Sequence, residues 1–218
     1  MKEQIIIETE FTASHFTTTK SCGNMKDDSL RNTLLSSLGL DGKNIVFARQ
    51  THGVKVVSVS EKDKGCFVED CDGLITDEKN IALGIFTADC MPVLMFSADR
   101  RVKAAVHAGW KGLAGGILQN ALRAFKELYC VSCGDISVYI APHIKQCCYD
   151  VNAELADIFK VKLNNNKLDL SAVARGILTK EGVKNISISA HCSFHEDDLF
   201  FSYRKNKTES RMITVVAG

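Results

Sequence analysis

Short β-rich apolar runs alternate along this chain with stretches in which apolar residues recur every three or four positions. After Asp27-Asp28, the spacing of Leu30, Leu34, Leu35 and Leu38 predicts a capped amphipathic helix that ends near Gly39. Residues 45–48 and 54–59 read as strands separated by Arg49-Gln50-Thr51-His52-Gly53, which places His52 on a turn or at a strand end. From Leu74 onward β-type runs crowd together at 81–86, 93–96 and 102–106, with Thr87, Asp89 and Cys90 interrupting the first pair. Beyond His107-Ala108-Gly109-Trp110-Lys111-Gly112, the positions Ile117, Leu118, Ala121, Leu122, Phe125, Leu128 and Tyr129 return to helical spacing. A strand at 136–140, helices near 152–159 and 171–181, and strands near 186–190 and 212–216 complete the pattern. Asn164-Asn165-Asn166-Lys167 reads as a surface turn, and no linker rich in Pro, Gly or Ser divides the chain. The expectation is a mixed α/β (α+β) protein forming one domain over residues 1–218.

Composition narrows the class of partner. At 218 residues one hydrophobic core can organise the chain, and 45% apolar with 24% charged residues is the balance of an ordinary globular protein. A formal net charge of +1, with no Lys/Arg block, offers no general attraction to nucleic acid or anionic membrane, so a small molecule is the expected partner. Lys2, Glu3, Glu8 and Glu10 surround the apolar Ile5-Ile6-Ile7, unlike a signal peptide, and no apolar stretch reaches the roughly 18 to 20 residues of a membrane span. A cytoplasmic location is expected. Nine cysteines, an odd number, point to reduced thiols, some of them free to bind metal or react.

Three residues stand out as metal ligands. His52, Cys90 and His107 each fall where a strand gives way to a turn, among small or polar neighbours. Zinc accepts imidazole nitrogen and thiolate sulfur, and a catalytic site keeps three protein ligands with the fourth position open. The competing interpretation is a buried core thiol at Cys90 and histidines that merely satisfy backbone groups. Gly53, Gly109 and Gly112 supply permissive backbone beside both histidines, and 109–116 leads into a helix whose first amides would hold an anion with help from Lys111.

The motifs Gln50-Thr51-His52-Gly53, Asp72-Gly73-Leu74-Ile75-Thr76, Thr87-Ala88-Asp89-Cys90-Met91-Pro92-Val93 and His107-Ala108-Gly109-Trp110-Lys111-Gly112 occur in that order. Ala141-Pro142-His143-Ile144, Cys147-Cys148-Tyr149, Cys192 and Phe200-Phe201-Ser202-Tyr203-Arg204 follow. Together, over nearly the whole chain, they resemble the laccase-domain, or polyphenol-oxidoreductase-like, family, more recently regarded as zinc-dependent purine nucleoside phosphorylases. The resemblance implies a mixed β-sheet sandwich flanked by helices, with His52, Cys90 and His107 as catalytic residues and metal ligands. It implies Zn2+ as the cofactor, with copper as the lesser candidate, and purine nucleoside plus phosphate as substrates. Adenosine, inosine, guanosine and methylthioadenosine would be split to free base and ribose 1-phosphate, with deamination of adenosine as a second activity. The family's usual opening has a His-Gly-Phe-type motif followed by Arg, and later an Asn-Arg pair, whereas this chain has His15-Phe16-Thr17-Thr18-Thr19-Lys20 and Arg31-Asn32. Lys20 or Arg31 would therefore take the arginines' place at phosphate. Lys111, Arg31 and His143 are the candidate substrate-binding residues, and Asp89 or His143 would handle protons.

Other features compete for roles. Cys130 and Cys133 form a CxxC pair without a second pair at zinc-finger spacing and read as structural. Cys147-Cys148 lines the pocket or simply packs, and neither is assigned to zinc. His191, Cys192 and His195 lie close in sequence, but a strand would point the first two to opposite faces. Trp110 stacks on a purine or packs on its glycine turn. The rival functions are a Cys/His hydrolase or amidase with Cys90 as nucleophile, a copper polyphenol oxidase, and a binding protein without turnover. The expected assembly is a monomer or homodimer, with no nucleic acid and no membrane as partner.

Overall fold

The computed structural model describes residues 5–8 and 11–217; Lys2, Glu3 and Glu10 of the charged opening stretch lie outside the described residues. The strands, in chain order, are β1 (Ile5–Ile6), β2 (His15–Thr18), β3 (Ile45–Ala48), β4 (Val56–Ser58), β5 (Phe67–Val68) and β6 (Gly73–Thr76). They continue as β7 (Ala82–Thr87), β8 (Met91–Ser97), β9 (Val102–Ala108), β10 (Ser137–Ile140), β11 (Asn185–Ile188) and β12 (Met212–Val216). The helices are α1 (Asp28–Ser37), α2 (Trp110–Gly115), α3 (Ile117–Tyr129), α4 (Ala153–Phe159), α5 (Leu170–Lys180) and α6 (Tyr203–Asn206).

Two mixed six-stranded sheets form, ordered β1-β2-β12-β7-β3-β5 and β11-β10-β8-β9-β6-β4. Side chains alternate faces along a strand, and that period sorts each strand between two cores. In β9, Val102, Ala104, Val106 and Ala108 join Leu113, Ile117, Leu118 and Phe125 of α2 and α3 and Ala174 and Leu178 of α5. Ala105, on the opposite face, packs between the sheets with Leu74 and Leu94 of its own sheet and Val46, Leu83, Ile85 and Val216 of the other. Lys103 and His107 share the Ala105 side. The outer face of the first sheet is covered at Phe16, Ile45, Phe47, Ile213 and Val215 by Met25 and by Leu35 of α1. Gly84 of β7 must be glycine for close approach, because a Cβ there would lie 2.3 Å from the Phe47 ring.

The capped helix at Asp27 forms, with the Asp27 carboxylate accepting from the amides of Ser29 and Leu30. Its buried face differs from the leucine stripe: Leu30 and Leu38 are exposed, while Arg31 is buried beside Leu35. The reason is aromatic. The Arg31 guanidinium lies 5.2, 5.4 and 5.7 Å from the rings of Phe47, Phe67 and Phe86, so the helix is anchored through a cation on a cluster of π faces. No helix among the described residues is long and apolar enough to cross a membrane.

Candidate metal centre

Crossings between the sheets assemble the site. His52 lies between β3 of one sheet and β4 of the other, and Cys90 lies in the turn between β7 and β8, which also belong to different sheets. His107 was expected at a junction but is the penultimate residue of β9, because the ladder with β8 runs on to the Met91–Ala108 pair. The ligand atoms of His52, Cys90 and His107 all lie within 4.8 Å of one another. Cys90 Sγ is 4.0 Å from His52 Nε2, and the two imidazoles meet edge-on with centroids 4.8 Å apart.

Permissive glycine backbone was expected beside the histidines, yet Gly53, Gly109 and Gly112 do not take positive φ. His52 (φ 61°) and Asp89 (φ 87°) do, a conformation that costs such residues on the order of 1–3 kcal/mol and persists only where the surroundings enforce it. Asp72 supplies that enforcement. Fully buried, it accepts the His52 amide on Oδ1 at 3.0 Å and the Thr51 and Gly53 amides on Oδ2 at 3.1 and 2.7 Å. Its Oδ1 also accepts from His107 Nδ1 at 2.7 Å, so one carboxylate shapes the His52 loop and orients the His107 ring. Asp89 is held by the Ser193 hydroxyl at 2.7 Å and the Arg204 amide at 2.6 Å. Gly109 is needed for space: a Cβ there would stand 3.2 Å from Cys90 Sγ and 3.3 Å from His52 Cδ2, inside the cradle.

The electrostatics follow from burial opposed by pairing. Burial raises the Cys90 thiol, but hydrogen bonds from His107 and His52 outweigh it and bring it down to about 6. Burial lowers His107, and the Asp72 and Cys90 hydrogen bonds outweigh that and carry it up to about 9. Asp72, which burial would raise, is held down at about 2 by His107 and the loop amides. These groups fit a metal ion. With His107 Nδ1 committed to Asp72, Nε2 is left for a ligand, and the 4.0 Å between Cys90 Sγ and His52 Nε2 is below the sum of about 2.3 Å and 2.1 Å for zinc–sulfur and zinc–nitrogen bonds. A cation would take the place of the proton that Cys90 and His107 share.

A cavity of about 920 Å³ opens on the triad. His52, Cys90 and His107 line it with Arg31, Arg49, Arg211 and Lys26, with Phe67 and Phe86, and with Tyr203, Asp28 and Glu209. Of the residues expected to bind substrate, only Arg31 lines this space. Lys111 is exposed on α2, 5.7 Å from the Trp110 ring, because the glycine-rich stretch itself coils into a helix capped by Gly109. Lys20 points elsewhere, its Nζ donating to the Asp197 carbonyl. His143 is buried, donates Nδ1–H to the Ala141 carbonyl, and is driven down to about 3 by desolvation and by Lys145, so it stays neutral, and it does not line the cavity. Trp110 opens α2 and does not line the cavity either. Cys130 and Cys133 remain free thiols around the end of α3. Asp72 is the functional residue that sequence reasoning missed: it stood only inside a quoted motif, and its partners lie 19 to 35 positions away.

Residues 18–217 match the family described as multi-copper polyphenol oxidoreductase laccase. A purine nucleoside phosphorylase of Clostridium acetobutylicum is 34% identical over 190 residues, 80% of this chain and 77% of that protein. An adenosine deaminase from an unknown prokaryotic organism is 32% identical over 214 residues, 84% of this chain and 80% of that protein. The crystal structure of YlmD from Geobacillus stearothermophilus matches with a TM-score of 0.91 at 26% identity, over 100% of this chain and 97% of that one.

Proposed function

Because this chain belongs to the multi-copper polyphenol oxidoreductase laccase family and resembles a purine nucleoside phosphorylase over most of its length, we propose that it is a zinc-dependent purine nucleoside phosphorylase with adenosine deaminase activity. The observation that carries this is the His52–Cys90–His107 group, oriented by Asp72 and opening on a cavity that offers both cationic and aromatic surfaces. Zinc held by His52 Nε2, Cys90 Sγ and His107 Nε2 would supply Lewis-acid charge there.

The chain's own residues do the rest. Asp72 keeps a proton on His107 Nδ1 and so presents the Nε2 lone pair inward. Arg31 is pinned, with one nitrogen donating to the Met25 carbonyl and another to Asp28, so its charge meets an entering phosphate without a search for geometry. Arg49 and Arg211 add to that attraction, and Phe67 and Phe86, which carry the arginines, give the cavity an apolar wall against which a purine would pack. In phosphorolysis a phosphate oxygen bonds to the anomeric carbon as the bond to the purine nitrogen breaks, and the purine leaves with a proton. In deamination, water replaces the amino group at C6 and ammonia departs.

Multi-copper oxidation would need a second histidine-rich cluster, and among the described residues the one three-donor group that contains histidine is His52, Cys90 and His107. The lowered Cys90 thiol beside two imidazoles is also what a thiol nucleophile requires, which favours a Cys/His hydrolase as the second reading. Zinc-loaded protein incubated with adenosine, with and without phosphate, separates these. Phosphate-dependent adenine is expected, with phosphate-independent inosine for the deaminase, and both lost on chelation. Activity that survives chelation and disappears on alkylation of Cys90 would overturn the zinc enzyme in favour of the hydrolase.

A further inference from the structure

A second group of soft ligands gathers away from the centre just described. Cys147 and Cys148 sit in the turn after β10, and Cys192 lies beyond β11, where a parallel bridge pairs it with His143. That pairing folds residues distant in sequence onto one spot: Cys147 Sγ is 3.4 Å from Cys148 Sγ and 3.7 Å from Cys192 Sγ, and the three sulfurs lie within 4.8 Å of one another. We infer that Cys147, Cys148 and Cys192 form a second metal site, which takes a thiophilic cation of the Cu+, Zn2+ or Cd2+ class.

The geometry supports a shared ion. Two sulfurs bound to one such ion at about 2.3 Å each lie no more than about 4.6 Å apart, and the two short separations fall inside that limit. Three sulfur donors without a carboxylate select soft cations over Mg2+ or Ca2+. Access is available, because Cys147 is exposed and Cys148 half-buried, while the buried Cys192 forms the base. Cys147 and Cys192 line a hollow of about 570 Å³ that would admit the ion. No residue lines both this hollow and the cavity at His107. Burial opposes charge on Cys192, but the backbone amides of Lys145, His195 and Phe194 outweigh it and hold that thiol below its ordinary range. A bound cation would draw protons from the thiols into solution.

Cadmium is the probe, titrated into the full chain kept reduced by a phosphine and followed by sulfur-to-metal charge-transfer absorption. Wild type is expected to bind two equivalents, Cys90→Ser one, and Cys147→Ser one, with the remaining equivalent in Cys90→Ser removed by adding Cys147→Ser. Cys147 is exposed, so its replacement leaves the fold intact, as an unchanged thermal transition would register; Cys192→Ser repeats the test at the buried position. As many equivalents in Cys147→Ser as in the wild type would overturn the site. The outcome is independent of nucleoside turnover, so failure of the phosphorylase reading leaves it standing.

Discussion

Strand β9 buries two ionisable side chains on one face, Lys103 near its start and His107 near its end, and burial pushes both toward their neutral forms. Their outcomes are opposite. Lys103 Nζ donates to the Glu78 carbonyl at 2.8 Å, and desolvation takes it down to about 8 despite the nearby charges of Asp77 and Glu78. His107 faces a carboxylate, and it rises to about 9 although its ring is equally enclosed. What distinguishes them is not depth but the presence of an acceptor whose own charge is held in place by loop amides. A buried base becomes a tool when its counter-charge is fixed.

The largest effect that would sharpen this contrast is His107→Ala, which is expected to take adenine release to the uncatalysed background while Lys103→Met leaves it at the wild-type level; chromatography of the reaction products reads both. Next comes Asp72→Asn, which keeps the shape but removes the charge. Metal affinity should fall about 10- to 100-fold in a chelator competition, and an unchanged affinity would mean that His107 needs no carboxylate. Lys103 supplies the third test. The unfolded lysine keeps its proton to near pH 10.5, whereas the folded one releases it near 8, so between those values the unfolded state binds more protons and stability rises with pH. Relative to Lys103→Met, wild type should gain on the order of 2 kcal/mol from pH 8 to pH 10.5 in urea unfolding, and a flat difference would show that Lys103 stays charged in the fold. The smallest effect belongs to Lys111→Ala, just past the end of β9 but exposed: stability within about 0.5 kcal/mol and unchanged turnover are expected, and a loss of phosphate affinity would place Lys111 in the site.

Strands built from apolar runs were legible, and β3 and β12 match their expected bounds because both faces of each are buried. Strand β2 was not, since three of the four residues in His15-Phe16-Thr17-Thr18 are polar. Among the described residues its threonine hydroxyls pair with β12, through Thr17 Oγ1 to Thr214 Oγ1 at 3.0 Å and the Ile213 amide to Thr18 Oγ1 at 3.0 Å, partners nearly two hundred positions away. The same distance blindness hid Asp72. For His52, Cys90 and His107, motif resemblance named the group, while spacing along the chain could not, because the donors converge only when both sheets have formed. The Cys147-Cys148 pair was noticed, but nothing local linked it to Cys192.

Strand β12 follows every other strand in sequence yet lies between β2 and β7 in the middle of its sheet. During synthesis, therefore, β2 and β7 emerge from the ribosome with facing edges unpaired and must wait for their filler, exposing hydrogen-bonding groups that invite pairing with another chain. The nascent protein's vulnerable interval is set by translation time across the segment from β7 to β12, and slowing elongation there would lengthen it.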